Sequence, residues 1–241
     1  MLTGPTPLTS SEIWNALVQA EKLTKTSKPV HLLLAFRYLH KYDTQIDLGQ
    51  FFKISSHVTI TKHCKNYVGL IASLLITKML SWEEADEDDM IHFMSVDGTH
   101  CPIEEPRPFS TIWSSHKLGG DAGVNYEFGL SISRPKLLWL YGPTQPGALN
   151  DLQVAEKALI PAMREFGNGQ RRIIGDGIFG AEHVSDVMCT KNIYDPWEIV
   201  NFKNRVSARH EVFNKMVKKF NVFKMKFREI WTSIAHTWKQ C

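Results

Sequence analysis

The chain has 241 residues, of which 43% are hydrophobic and 22% are charged, with a formal net charge of +3. These values exclude a disordered or low-complexity chain and allow one or two domains, at roughly 150 residues per domain. The longest uncharged apolar stretch, residues 67–76, is far shorter than the roughly 18 residues of a membrane-spanning helix. No membrane partner is therefore expected. The N-terminal segment MLTGPTPLTSSEIW has no secretory signal, which predicts an intracellular protein.

Cysteines and charges are unevenly placed. Cys64, Cys101, Cys189 and Cys241 form no C-x-x-C pair, a pattern that predicts free thiols rather than a zinc cluster or a disulfide framework. Residues 81–90, SWEEADEDDM, contain six acids and no base, whereas residues 203–228 contain nine Lys or Arg and one acid. Because like charges repel, the acidic run predicts an exposed linker between a region of residues 1–80 and a region of residues 91–241.

The region before the linker has a helical pattern. Apolar residues recur every three or four positions after Pro29, which predicts an amphipathic helix, and two more helices are predicted over 45–52 and 57–78. The stretch 48–68, LGQFFKISSHVTITKHCKNYV, resembles a helix-turn-helix, although Lys53 stands where glycine is expected in the turn. An ordinary three-helix bundle is the alternative.

In the helix-turn-helix reading, Leu48, Phe51 and Phe52 pack on Ile54 and Val58. The polar residues of the turn and the second helix are then left to face DNA. These are Ser55, Ser56, His57, Thr59, Thr61 and Lys62.

After the linker, short apolar runs bounded by turn residues predict strands. The predicted strands span 91–96, 126–133, 137–141 and 172–174. Asn150-Asp151 opens an N-capped helix before the fourth strand, and a basic helix over about 204–235 closes the chain. This order predicts an α/β layer with a mixed sheet.

Three carboxylates stand out in this second region. Asp97 in MSVDGT and Asp176 in IIGDGIFG are each predicted to follow a strand and each precede glycine, and Glu211 is the single acid of the basic helix. Converging carboxylates can hold Mg²⁺ or Mn²⁺ for phosphodiester chemistry. The alternatives are Asp-Gly turns and an ion pair between Glu211 and Lys215. Helical spacing also places Glu211 opposite the apolar stripe that includes Phe213.

Five ordered motifs then point to a family. They are DGTHCPI, NYEFGLSI, GPTQPGALND, IIGDGIFG and FKNRVSARHEVFNKMVKKF. Together, over residues 91–228, they resemble the catalytic domain of Harbinger-type DDE transposases. The resemblance implies an RNase H-like mixed sheet with flanking helices, preceded by an all-α helix-turn-helix domain, with Asp97, Asp176 and Glu211 as the metal-binding triad. Asp151 matches another recurrent acid of the family and is otherwise read as a helix N-cap.

The implied function is cleavage and transfer of DNA strands by two-metal-ion chemistry, with Mg²⁺ or Mn²⁺ as cofactor. Transposon ends and target DNA would be the substrates, bound by a homo-oligomer with or without a second DNA-binding protein, in the nucleus if the source is eukaryotic. The alternative is a domesticated, catalytically inactive, sequence-specific DNA-binding protein. Further DNA contacts are expected from the basic helix, at Arg205, Arg209, Lys215, Lys218 and Lys219.

The sequence departs from the family pattern in two places. Ile178-Phe179 replace the usual Gly-Tyr after the second aspartate, and the chain ends at Cys241, where relatives usually continue. Both departures leave truncation or degeneration open.

Overall fold

The structure is a computed structural model that describes residues 4–78, 92–134, 136–166, 172–175, 187–189 and 194–227. The chain divides into two compact units, one of residues 1–78 with 217–225 and one of residues 79–216 with 226–241. The sequence predicts a single region after the linker, whereas the structure groups the short segment 217–225 with the N-terminal helices. No helix in the described ranges is long and apolar enough to cross a membrane.

The first unit is built from helices. They are α1 (Pro7–Gln19), α2 (Pro29–Lys41), α3 (Gln45–Phe52), α4 (His57–Lys78) and the short α8 (Asn221–Lys224). Local signals explain where α1 and α3 begin. The Thr6 hydroxyl accepts a hydrogen bond from the backbone N–H of Thr9, and Thr44 with Asp47 forms a capping box. The amide of Asn221 donates to the carbonyl of Lys41, which ties α8 to α2.

Two apolar clusters hold these helices together. The first contains Leu17 of α1, Leu32 and Phe36 of α2, and Tyr67 of α4. In the second, Leu34 packs with Leu48, Ile60 and Cys64. The amphipathic pattern after Pro29 therefore predicts the correct helix, and α1 is the helix that sequence analysis missed.

The predicted bounds of α3 and α4 agree with the structure, but the predicted packing between them is only partly correct. Leu48, Phe52 and Ile54 do pack in the second cluster. Phe51 is half exposed beneath the guanidinium of Arg37, and Val58 is exposed. The reason is the rotation of α4, which buries Ile60, Cys64 and Tyr67 and thereby turns Val58 outward.

The turn between α3 and α4 yields a stability prediction. Lys53 ends α3 with φ of +56°, in the left-handed region where a side chain is strained. Because glycine relieves this strain, which costs about 1–2 kcal/mol for other residues, we expect Lys53→Gly to be about 1 kcal/mol more stable than Lys53→Ala. Chemical denaturation of the two variants tests this, since both lack the lysine charge. Equal stabilities would contradict the assigned backbone conformation.

The second unit contains a five-stranded mixed sheet with the order β3-β2-β1-β4-β5. The strands are β1 (His92–Pro102), β2 (Gly123–Ser131), β3 (Leu137–Thr144), β4 (Arg172–Gly175) and β5 (Val187–Cys189). β1 pairs antiparallel with β2 and parallel with β4, and β4 pairs parallel with β5. The α/β class with a mixed sheet is thus confirmed. β5 was not predicted.

One strand boundary changes the setting of a candidate site residue. β1 continues to Pro102, so Asp97 lies inside the strand, opposite Phe128 of β2, and not beyond its end as predicted. The Asp-Gly dipeptide looked like a turn signal, but pairing with β2 keeps it extended. Asp176 directly follows β4 in the sequence and lies outside the described residues.

Helical segments flank the sheet. Asn150 forms a capping box with Gln153 and starts α5 (Asp151–Val154), which continues through a π-helical segment (Ala155–Leu159) into α6 (Ile160–Phe166). Asp151 is therefore the first helical residue, not the N-cap. The basic helix α7 spans Trp197–Val217, so it begins earlier and ends earlier than predicted.

The core of this unit lies between the sheet and the α5–α6 segment. Met94 and Val96 of β1, Trp139 of β3, and Val154 and Leu159 of the helical segment are all buried there. On α7, the buried residues are Lys203, Val206 and His210. Their spacing defines the face of α7 that turns inward.

Candidate functional site: two polar centres on opposite faces of the sheet

Strand alternation separates two groups of polar side chains in the second unit. Asp97 pairs with Phe128, and Gly98 pairs with Glu127. Directly paired residues share a face of the sheet, whereas consecutive residues point to opposite faces. Asp97 meets Asn214 and Phe128 meets Phe213, so this face carries α7. Gly98 lies against Asp151, so the other face carries α5.

The Asp97 centre consists of Asp97, His210 and Asn214. The Asn214 amide Nδ2 donates a hydrogen bond of 2.8 Å to Oδ2 of Asp97. His210 precedes Asn214 by four residues on α7 and is 4% exposed. Residues four apart lie on the same side of a helix, so both side chains face β1.

The His210 ring is available as a neutral base. Neither ring nitrogen makes a well-formed hydrogen bond within the described part of the chain. Burial lowers the pKa of His210, and this effect is opposed by the nearby backbone of Ser95 and the charge of Asp97. The imidazole is therefore held in its uncharged form at neutral pH.

The Glu127 centre consists of Asn125, Glu127, Asp151, Lys117 and the backbone carbonyl of Gly98. Asn125 Nδ2 donates to Asp151 Oδ1 at 2.9 Å. Lys117 Nζ lies 3.4 Å from Asp151 Oδ2 and 3.2 Å from the Gly98 carbonyl oxygen. Asn125 and Glu127 are both 1% exposed. Two β2 residues on one face thus point at the start of α5.

Glu127 is a buried acid with little nearby positive charge or hydrogen bonding to stabilise its ionised form. Burial, and after it the negative charge of Asp151, raises the pKa of Glu127 to about 9, against the opposing charge of Lys117. Its two carboxyl oxygens have no hydrogen-bond partner among the described residues. In this arrangement the carboxyl group keeps its proton at neutral pH.

Unsatisfied polar atoms are concentrated in the two centres. In the described ranges, eight buried side-chain N or O atoms have no hydrogen-bond partner, and six of them belong to Asn125, Glu127, His210 and Asn214. Buried polar atoms without partners are costly, and in native proteins they accompany bound water, ions or a catalytic role. Both centres therefore have the character of ligand sites.

Of the predicted triad, the structure describes Asp97 and Glu211, and it does not bring these two side chains together. Glu211 is 72% exposed and pairs with Lys215 at 3.6 Å, which is the ion pair that the sequence offers as the alternative to a metal ligand. Asp97 is instead approached by the neighbouring residues His210 and Asn214. Asp176 lies outside the described residues, and Asp151 belongs to the opposite face of the sheet.

The predicted DNA-binding residues are mostly exposed. Thr59 is half-buried, and its backbone N–H donates to the Ser56 hydroxyl at 3.3 Å. Arg209 is also half-buried and donates to the backbone carbonyls of Ile132 and Arg134, so it supports the β2–β3 connection. Thr61 is half-buried as well, and its hydroxyl accepts a hydrogen bond from the side-chain amide of Gln45. The remaining residues are exposed, namely Ser55, Ser56, His57, Lys62, Arg205, Lys215, Lys218 and Lys219.

Sequence analysis missed five residues of the two centres: Lys117, Asn125, Glu127, His210 and Asn214. Glu127 left a usable signal, because it is an acid within the otherwise uncharged run GVNYEFGLSI. Such a run predicts a strand buried on both faces, where a charged residue needs a specific reason. Lys117 left no comparable pattern.

The donor chemistry of the Asp97 centre suits a hard divalent cation. Carboxylate and amide oxygens are ligands of Mg²⁺ and Mn²⁺, and the buried Asn214 Oδ1 has no hydrogen-bond partner in the described ranges. Within the described residues, no three His, Cys, Asp or Glu side chains lie close enough together to hold a metal ion. A cation bound by Asp97 would therefore require further donors, for which Asp176 is the predicted source.

A scan against protein-family models and searches among curated proteins and solved structures found no match.

Proposed function

We propose that this chain cleaves DNA strands by divalent-cation-dependent phosphodiester chemistry, as a Harbinger-type DDE enzyme with an RNase H-like second unit. The observation that carries the proposal is the register of β1 and β4. Ser95 pairs in parallel with Ile174, and Asp97 and Asp176 each follow their paired residue by two positions. Adjacent strands lie about 4.8 Å apart, so continuing this register past β4 would make the two acids neighbours on one face of the sheet.

Asp97 and Asp176 would hold the Mg²⁺ or Mn²⁺, which when bound activates the attacking water or 3′-hydroxyl and stabilises the leaving oxygen. The chain's own residues then have defined tasks. Asn214 donates to Asp97 Oδ2 and thereby orients its carboxylate. His210 is neutral, and its ring nitrogens make no well-formed hydrogen bond within the described residues, so it can accept a proton at Nδ1 or Nε2.

The first unit would position the DNA. α3, the Lys53 turn and α4 follow the order of a helix-turn-helix, with Ser55, His57 and Lys62 exposed. The proposed partner is therefore duplex DNA. The proposal also has the chain act as a homo-oligomer, in the nucleus if its source is eukaryotic.

A second candidate function is sequence-specific DNA binding without catalysis. It is favoured by the exposed position of Glu211 and by the Asn214 amide, which already occupies one oxygen of Asp97. A DDE centre in which the third acid, Glu211, does not lie beside Asp97 would bind metal weakly and cleave DNA slowly.

Plasmid nicking by the full chain distinguishes the two functions. We expect relaxation of supercoiled DNA in Mg²⁺ or Mn²⁺, none in EDTA, and loss of activity in Asp176→Asn. Binding that is unaffected by either cation, together with no cleavage in either, would refute the enzyme and support the inactive binder.

DNA binding itself can be tested at α4. We expect Lys62→Ala to weaken binding to all duplexes and to reduce the slope of log K against log salt by about 1, because one phosphate contact is lost. Fluorescence anisotropy over a salt series measures this slope. Lys22→Ala removes an exposed charge from the loop after α1 and serves as control. Equal slopes for the two variants would remove α4 from the DNA interface.

A further inference from the structure

We propose that the Glu127 centre is a second divalent-cation site, separate from the Asp97 centre and on the opposite face of the sheet. Its ligands would be the carboxylates of Glu127 and Asp151, the amide oxygen of Asn125 and the carbonyl oxygen of Gly98, and the proton that Glu127 carries in the metal-free chain would be released to solvent as the cation binds. This inference does not depend on the proposed DNA cleavage.

The first support is the set of oxygens without partners. Both carboxyl oxygens of Glu127 and Oδ1 of Asn125 are buried and make no hydrogen bond within the described residues. The two side chains are each 1% exposed, so bulk solvent does not satisfy them. Asn125 is uncharged, and its orphaned oxygen is thus an observation independent of the two acids. A cation would satisfy all three oxygens at once.

The second support is the position of Lys117. Its ammonium group contacts Asp151 Oδ2 and the Gly98 carbonyl, at 3.4 and 3.2 Å, and so occupies the place of a cation among these oxygens. The Lys117 side chain is 38% exposed and belongs to a short 3₁₀ helix, His116–Leu118. It can therefore swing into solvent when a metal ion replaces it, without disturbing the core.

The third support is the shape of the backbone at Gly98. A Cβ atom at this position would lie 2.8 Å from Oδ1 of Asp151 and 3.1 Å from Oδ1 of Asn125. Any side chain here would displace the oxygens. The absence of a Cβ brings the strand backbone, with its carbonyl, close to the acids, which is a recognised use of glycine.

This donor set indicates the class of cation. Two carboxylates and two neutral oxygens are hard ligands, and Mg²⁺ in proteins typically uses one or two carboxylates and keeps several waters. Mn²⁺ accepts the same donors. The set contains two acids and no His or Cys, so it is compatible with the absence of three-residue His, Cys, Asp or Glu clusters from the described part of the chain.

Mn²⁺ titration followed by electron paramagnetic resonance tests the site. The starting protein is the full-length Asp97→Asn variant, in which the proposed catalytic centre is already impaired. We expect this variant to bind Mn²⁺ and the double variant Asp97→Asn/Glu127→Gln to bind it at least about 10-fold more weakly. Adding Lys117→Gln to Asp97→Asn should tighten binding, because the competing ammonium is removed.

Glutamine matches the protonated form of Glu127 in shape, and circular dichroism verifies that each variant is folded. Equal Mn²⁺ affinity with and without Glu127→Gln, or no binding by the Asp97→Asn protein, would overturn the proposal. Because DNA cleavage is not measured, failure here is distinct from failure of the proposed nuclease. Conversely, a protein that never cuts DNA can still show the expected Mn²⁺ binding.

Discussion

Asp97→Asn is expected to reduce strand cleavage by at least about 100-fold, since even residues behind metal ligands contribute about 10- to 100-fold. Asp97 is the described acid of β1 that faces α7, and Asn214 holds its carboxylate in place. Asparagine keeps the shape and loses the negative charge that would bind the cation. Quantitative nicking kinetics in Mg²⁺ measure the loss.

Two variants make this experiment specific. Asp121→Asn removes the same charge at an exposed position, where Asp121 pairs with Lys226, and should leave cleavage unchanged. Glu211→Gln decides between the resemblance, which makes Glu211 the third ligand, and the structure, in which its carboxylate is exposed. On the structural arrangement we expect Glu211→Gln to retain most activity. A loss as large as that of Asp97→Asn would show that α7 presents a different face in the active state.

Glu127→Gln is expected to change how stability depends on pH. The pKa of Glu127 is about 9 in the folded chain, against an ordinary value of 4.5. The folded state therefore binds one proton more than the unfolded state between these values. Its stabilising contribution is complete below about pH 4.5 and is lost as pH rises to about 9, at up to roughly 1.4 kcal/mol per pH unit. Glutamine cannot ionise, so the variant escapes this loss.

Denaturant unfolding in EDTA between pH 5 and pH 9 measures the effect. The free energy of unfolding of Glu127→Gln minus that of the wild type should increase as pH rises and should be largest at the alkaline end of the range. Glu105→Gln, which removes an exposed acid of the same unit, controls for the change in net charge. Curves for Glu127→Gln and wild type that stay parallel across the range would mean that Glu127 is ionised in the folded protein.

Local sequence patterns were sufficient to predict several helices and strands of the fold. The helix after Pro29, the α3 and α4 bounds and the start of β4 follow from apolar periodicity, capping residues and turn residues. These signals are local, because a helix or strand is defined by neighbours within a few positions. The same information failed at Asp97, where pairing with β2 extends β1 through a dipeptide that resembles a turn.

The sequence by itself determined the α/β class and the order of most elements, and it singled out Asp97 as a candidate acid. Only the tertiary structure decided which side chains meet. A rotation of one residue on α7 turns His210 and Asn214 toward Asp97 and leaves Glu211 in solvent. Strand alternation also separates the two centres. Glu127 directly precedes Phe128, the partner of Asp97, yet its side chain points to the opposite face of the sheet, where Asp151 lies. The direction in which each side chain points is set by long-range packing of β1 against β2, α5 and α7, and no local pattern in the chain carries that information.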